Sequence, residues 1–87
     1  NKTNNTMPKN KLHHWITLRE GDGYGVFDVD WRLDTIDEKG ETVEAVFVDG
    51  WSCDSYKEAA RYFYSLIASH PDSSHENEIT GVKKIRV

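Results

Sequence analysis

An α+β fold in the order β-β-β-α-β, with one helix packed on one face of a mainly antiparallel four-stranded sheet, is what three features of the sequence predict. Phe27-Asp28-Val29-Asp30-Trp31-Arg32-Leu33 alternates apolar and charged residues without a break, as a half-buried strand requires. Asp22-Gly23 separates it from a second alternating stretch, which is a strong signature of a two-residue hairpin. Ser55-Tyr56-Lys57-Glu58 is a capping box that opens an apolar run at helical spacing.

In order along the chain, residues 1 to 10 (NKTNNTMPKN) are polar and aperiodic and contain Pro8, so a disordered tail is expected there and a single domain over residues 11 to 87. The first strand is Leu12 to Arg19. A type I′ turn at Asp22-Gly23 sets Leu18 opposite Phe27, Ile16 opposite Val29, His14 opposite Trp31 and Leu12 opposite Leu33. Both strands then present their apolar residues to one face.

The third strand, Thr42 to Gly50, follows a turn at Asp37-Glu38-Lys39-Gly40 in which Gly40 takes the left-handed conformation. That register pairs Trp31 with Phe47 and Leu33 with Ala45. A tighter Lys39-Gly40 turn pairs Leu33 with Val46 and Trp31 with Val48 instead. After Ser55, the residues Tyr56, Ala59, Ala60, Phe63, Leu66 and Ile67 form one helical stripe, and Pro71 ends the helix. The polar stretch Pro71 to Glu78 reads as a loop and Ile79 to Val87 as the last strand. A right-handed crossover sets that strand parallel to the first, in spatial order 3-2-1-4.

Eighty-seven residues suit one domain with one modest core. Trp15, Trp31, Trp51, Phe27, Phe47 and Phe63 are the expected bulk of its burial. One cysteine, Cys53, cannot close a disulfide within the chain, and no run of eighteen apolar residues is present, so a soluble cytoplasmic protein without membrane contact is expected. Charge is unevenly spread. Residues 1 to 19 carry +4, residues 20 to 58 carry −9 and residues 59 to 87 carry +1.

Three strands followed by a helix resemble, in topology, the plant-type domains that read the DNA major groove with a sheet. Those sheets are basic and this one is acidic, so direct nucleic-acid binding is not expected and attraction to a basic protein surface is.

The candidate binding residues are those of the sheet face away from the helix: Trp15, Asp28, Asp30, Asp34, Glu44, Val46 and Val48, with Tyr64 on the helix as part of a second surface. No catalytic residue, metal ligand or cofactor is expected. Asp28 and Asp30 share a flat face with no water-excluding cleft, and His13 and His14 point to opposite faces. His70 and His75 stand at no recognisable ligand spacing. Cys53 precedes a helix N-terminus without an identifiable base, and Gly21-Asp22-Gly23-Tyr24-Gly25 joins two strands and does not open a helix. The expected function is therefore that of a small acidic, non-enzymatic protein-interaction module acting on a basic target. One specific form is an inhibitor or nucleic-acid mimic of the phage or mobile-element anti-defence type. The alternative is a structural accessory domain that homodimerises through its exposed sheet face.

Overall fold

The computed structural model describes residues 9–86; the tail expected over residues 1 to 10 lies outside the described residues except for Lys9 and Asn10, which are exposed. The elements are β1 (Lys11–Glu20), β2 (Phe27–Ile36), β3 (Thr42–Cys53), α1 (Tyr56–Ser69), β4 (Ser74–Asn77) and β5 (Val82–Lys84). They form one α+β arrangement whose sheet has five strands, not four, in the order β3-β2-β1-β4-β5. The sheet is mixed. β1 pairs antiparallel with β2 and parallel with β4, and the two flanking pairs, β2 with β3 and β4 with β5, are antiparallel.

The parallel crossover is made by residues whose composition argued against a strand. Ser74-His75-Glu76-Asn77 pairs with Trp15 to Leu18, while Val82–Lys84 only flanks it. The two most buried polar side chains of this strand, Ser74 and Asn77, fit because each finds local partners, whereas the buried His75 Nδ1 has none among the described residues. Ser74 Oγ accepts the Arg86 amide at 2.7 Å and lies 2.7 Å from His13 Nε2. Asn77 is wholly buried and its side chain makes four hydrogen bonds, to the Ile79 and Thr80 amides and to the Tyr56 and Tyr64 hydroxyls. A hydropathy pattern is blind to polar groups that satisfy one another.

The first hairpin keeps its faces and loses its turn. Leu18 stands opposite Val29 and Ile16 opposite Trp31, a shift of two residues from the expected register. The Gly21 amide donates to the Val26 carbonyl at 2.8 Å, closing a six-residue loop in which only Gly25 has a positive φ, +73°. A shift of two preserves the alternation, so the apolar residues still share one face. The second hairpin does adopt the expected left-handed Gly40, with φ +85°, and Asp37 Oδ1 accepts the Lys39 and Glu41 amides, each at 2.9 Å.

Two β-bulges then alter β3. The pairing passes from Ile36–Thr42 to Thr35–Glu44 and from Arg32–Phe47 to Trp31–Asp49, so Val43 and Val48 have no partner across the ladder. Each bulge reverses the alternation. Between them Leu33 pairs with Val46, and Phe47 turns to the outer face, where it is 65% exposed; its expected place opposite Trp31 in the core is taken by Asp49.

The core comprises Ile16, Leu18, Val29, Cys53, Ala59 and Phe63, bordered by Phe27, Trp31, Trp51, Tyr56, Ala60, Leu66 and Ile67. The helical stripe read from the sequence is the one that docks. Ser55 caps α1, its Oγ accepting the Glu58 amide at 3.2 Å, and the chain leaves the helix at His70, before Pro71. Fourteen helical residues span about 21 Å, whereas ten to twelve strand residues span about 33 to 40 Å. One helix therefore covers only part of the β1–β3 surface. The β2–β3 tip extends beyond it, and residues 41–49 are all exposed.

Candidate functional site

The uncovered face is built from the odd-numbered residues of β1 and the even-numbered residues of β2, which the register sets side by side. The two-residue shift brings Arg19 opposite Asp28 and Trp15 opposite Arg32. Arg19 Nε donates to Asp30 at 3.1 Å and its guanidinium lies 4.0 Å from Asp28, which also accepts the Ser52 hydroxyl at 2.8 Å. The hydrogen bond to Asp30 holds the Arg19 guanidinium above its ordinary pKa. Arg32 forms a forked pair with Asp34, at 2.7 and 3.1 Å, and its guanidinium lies 5.9 Å from the centre of the Trp15 ring. Asp34 is only 6% exposed. The face therefore carries three aspartates held by two arginines, and its charge is largely spent within itself.

Phe47 completes this surface. Its ring folds over Gly50, where a Cβ would meet the ring carbon at 2.9 Å, so the glycine makes room for the aromatic ring. Together with Trp15, Thr17, Arg19, Asp30 and Arg32 it borders a shallow depression of about 360 Å³.

Of the residues expected on this face, the structure brings together Trp15, Asp28, Asp30 and Asp34. Glu44 and Val46 lie on the opposite side, paired with Thr35 and Leu33, because the bulge at Val43 reverses the alternation that the turn sets at Ile36–Thr42. They are nonetheless exposed, since α1 does not reach them. Val48 is the unpartnered bulge residue. Tyr64 lies on α1, half-exposed, with its ring edge-on to Phe63 at 4.9 Å and its hydroxyl 3.4 Å from Asn77 Nδ2, so it braces the helix against β4. Arg19, Arg32 and Phe47 were not anticipated. Scoring the hairpin for opposite charges across the strands would have found the two arginines, because only the longer loop sets Arg19 against Asp28.

The acidic character lies instead in the tip. Residues 37 to 49 hold five acids, Asp37, Glu38, Glu41, Glu44 and Asp49, against Lys39 alone. Val43, Val46, Phe47 and Val48 are exposed among them. They occupy β3, whose outer edge faces no other strand among the described residues.

The histidines form a different feature. The Trp31 indole donates to His14 Nδ1 at 3.0 Å, and the His70 ring, with Nδ1 3.0 Å from the Leu66 carbonyl, lies 4.2 Å from that of His14. Burial, then His70 and His13, lower the His14 pKa. No group of three or more His, Cys, Asp or Glu stands close enough to hold a metal ion among the described residues. Burial, then Glu58, Asp54 and Asp28, raise the pKa of the Cys53 thiol, the opposite of what an activated nucleophile requires. Nor is any helix of the described residues long and apolar enough to cross a membrane.

Compared with protein-family models, with curated proteins and with solved structures, the chain has no match in any of the three.

Proposed function

We propose that this protein is a non-enzymatic protein-interaction module that takes an extended, basic segment of its partner along the outer edge of β3. One observation carries this reading: the acidic, valine-rich part of β3, residues 42–49, is exposed, and the outer edge of the strand has no partner among the described residues. Open edges of this kind accept a further strand, with backbone hydrogen bonds supplying affinity and alternate side chains supplying selectivity. The bulges at Val43 and Val48 restrict the regular edge to Glu44–Phe47, which suits one short segment and disfavours indiscriminate pairing. The excess of four negative charges in the tip sets the sign of the partner.

The narrower reading, in which carboxylates stand where nucleic-acid phosphates would lie on a basic target, is better supported at this tip than on the sheet face. Asp28, Asp30 and Asp34 are already taken by arginines or Ser52, whereas Glu38, Glu41 and Glu44 make no ion pair among the described residues.

The test is a titration of the labelled protein, followed by NMR, with a short synthetic peptide of alternating valine and lysine. Shifts confined to Val43–Asp49 and the facing residues of β2, lost in Val46→Lys, are expected. The same peptide with glutamate for lysine should bind at least about tenfold more weakly. Shifts centred on Trp15 and Arg32, or none at either peptide, would overturn the proposal.

A further inference from the structure

The two edges of this sheet carry opposite charge. β3 presents Glu44 and Asp49 within the acidic tip, whereas β5 and the residues after it, Val82-Lys83-Lys84-Ile85-Arg86, hold three bases and no acid. All five are exposed, Val82 by 52% and Ile85 by 60%. Lys83 lies 3.9 Å from Glu76, while Lys84 and Arg86 make no ion pair among the described residues. We infer that the basic strand received by β3 is the β5 edge of a second copy, so that copies associate head to tail into a continued sheet. This inference rests on the reading of β3 as a strand-accepting edge.

Topology and register both favour this pairing. From the ladder, β3 runs in the same direction as β1 and β4, and β5 runs opposite to them. A second copy in the same orientation therefore meets β3 with an antiparallel β5, its helix on the same side. Setting Lys84 opposite Glu44 then places Val82 opposite Val46, charge to charge and valine to valine. The faces agree as well: Val82 and Lys84 are in register with the helix-side residues Asn77 and His75, and Glu44 and Val46 lie on that same side. A symmetric β3–β3 pairing has no such match, since between Thr42 and Cys53 the strand has acids and no base. The contact is heterologous, so it leaves one acidic and one basic edge unused on any open oligomer, and growth continues unless a ring closes.

Sedimentation velocity over a range of concentration and salt tests this with the whole chain. The wild type should show larger species as concentration rises, dispersed by salt. Glu44→Lys alone and Lys84→Glu alone should each sediment as monomers. An equal mixture of the two, and the double variant Glu44→Lys/Lys84→Glu in one chain, should associate again, because both restore opposite charges across the contact. That recovery also guards against misfolding of either single variant. A wild type that stays monomeric at every concentration, or single variants that associate as the wild type does, would overturn the inference. If the valine-lysine peptide still binds β3 while the wild type remains monomeric, the self-association fails alone. Loss of peptide binding as well removes the strand-accepting edge itself.

Discussion

Replacing Asn77 with alanine tests the least expected part of the fold, the polar strand β4. The Asn77 carbonyl accepts the Ile79 amide at 3.0 Å and the Thr80 amide at 3.2 Å, and its amide donates to the Tyr56 hydroxyl at 3.0 Å and the Tyr64 hydroxyl at 3.4 Å. The last of these is long, and Tyr64 is half-exposed, so water replaces it readily. Three bonds remain, each with a net contribution of about 1 kcal/mol, which makes the expected loss about 3 kcal/mol. Domains of this size have stabilities of about 5 to 10 kcal/mol, so such a loss raises the unfolded fraction roughly a hundredfold. Urea unfolding followed by tryptophan fluorescence is the assay, since Trp31 and Trp51 border the core. With a slope of about 1 kcal/mol/M, the midpoint should fall by roughly 3 M or the variant should be largely unfolded in buffer. A midpoint displaced by less than about 0.5 M at unchanged slope would show that the Asn77 bonds do not organise this strand.

Three further outcomes are expected. His14 and His75 both have pKa values held below the ordinary 6.5, chiefly by burial, so the unfolded chain takes up protons that the folded chain refuses. Stability should be complete above about pH 6.5 and decline as pH falls from there through the lowered folded values; His14→Gln should flatten part of that decline in pH-resolved urea titrations, and an unchanged profile would rule out His14 as a source. Ser55→Ala removes the oxygen that accepts the Glu58 amide and should cost about 1 kcal/mol, read from the thermal midpoint, whereas Ser55→Asn should cost far less. Cys53 is buried with a raised pKa, so thiol labelling at neutral pH should be on the order of a hundredfold slower in the folded than in the urea-unfolded chain, and rapid labelling of the folded protein would revive a nucleophilic role.

The α1 stripe, the Ser55 cap, the left-handed Gly40 and the apolar alternation of β1 and β2 were legible in the sequence because each depends on residues close together in the chain. Helix capping, turn conformation and side-chain periodicity are local, and tertiary structure had only to accept them. The order of the first four strands and the parallel placement of the fourth beside the first also held. The residues supplying that strand were another matter: Ile79 to Val87 has the hydropathy of a strand, but Ser74–Asn77 has the hydrogen bonds.

The candidate surface was legible only in part, for the same reason. Trp15, Asp28, Asp30 and Asp34 fall together because parity alone decides their face, and a register shifted by two residues leaves parity intact. Phe47, Glu44 and Val46 exchanged faces because a bulge changes parity by one, and nothing in Val43-Glu44-Ala45-Val46-Phe47-Val48 marks where it falls. Likewise, the sequence shows that acids cluster between residues 20 and 58 but not which are neutralised, because ion pairing depends on the partner across the strand. By itself the sequence determined the element types, the helix face and the sign of the charge, all properties of short segments. Only the tertiary structure decided that arginines take the aspartates of the sheet face, that the tip outruns the helix, and that the open edges β3 and β5 are acidic and basic, because these are relations between residues far apart in the chain.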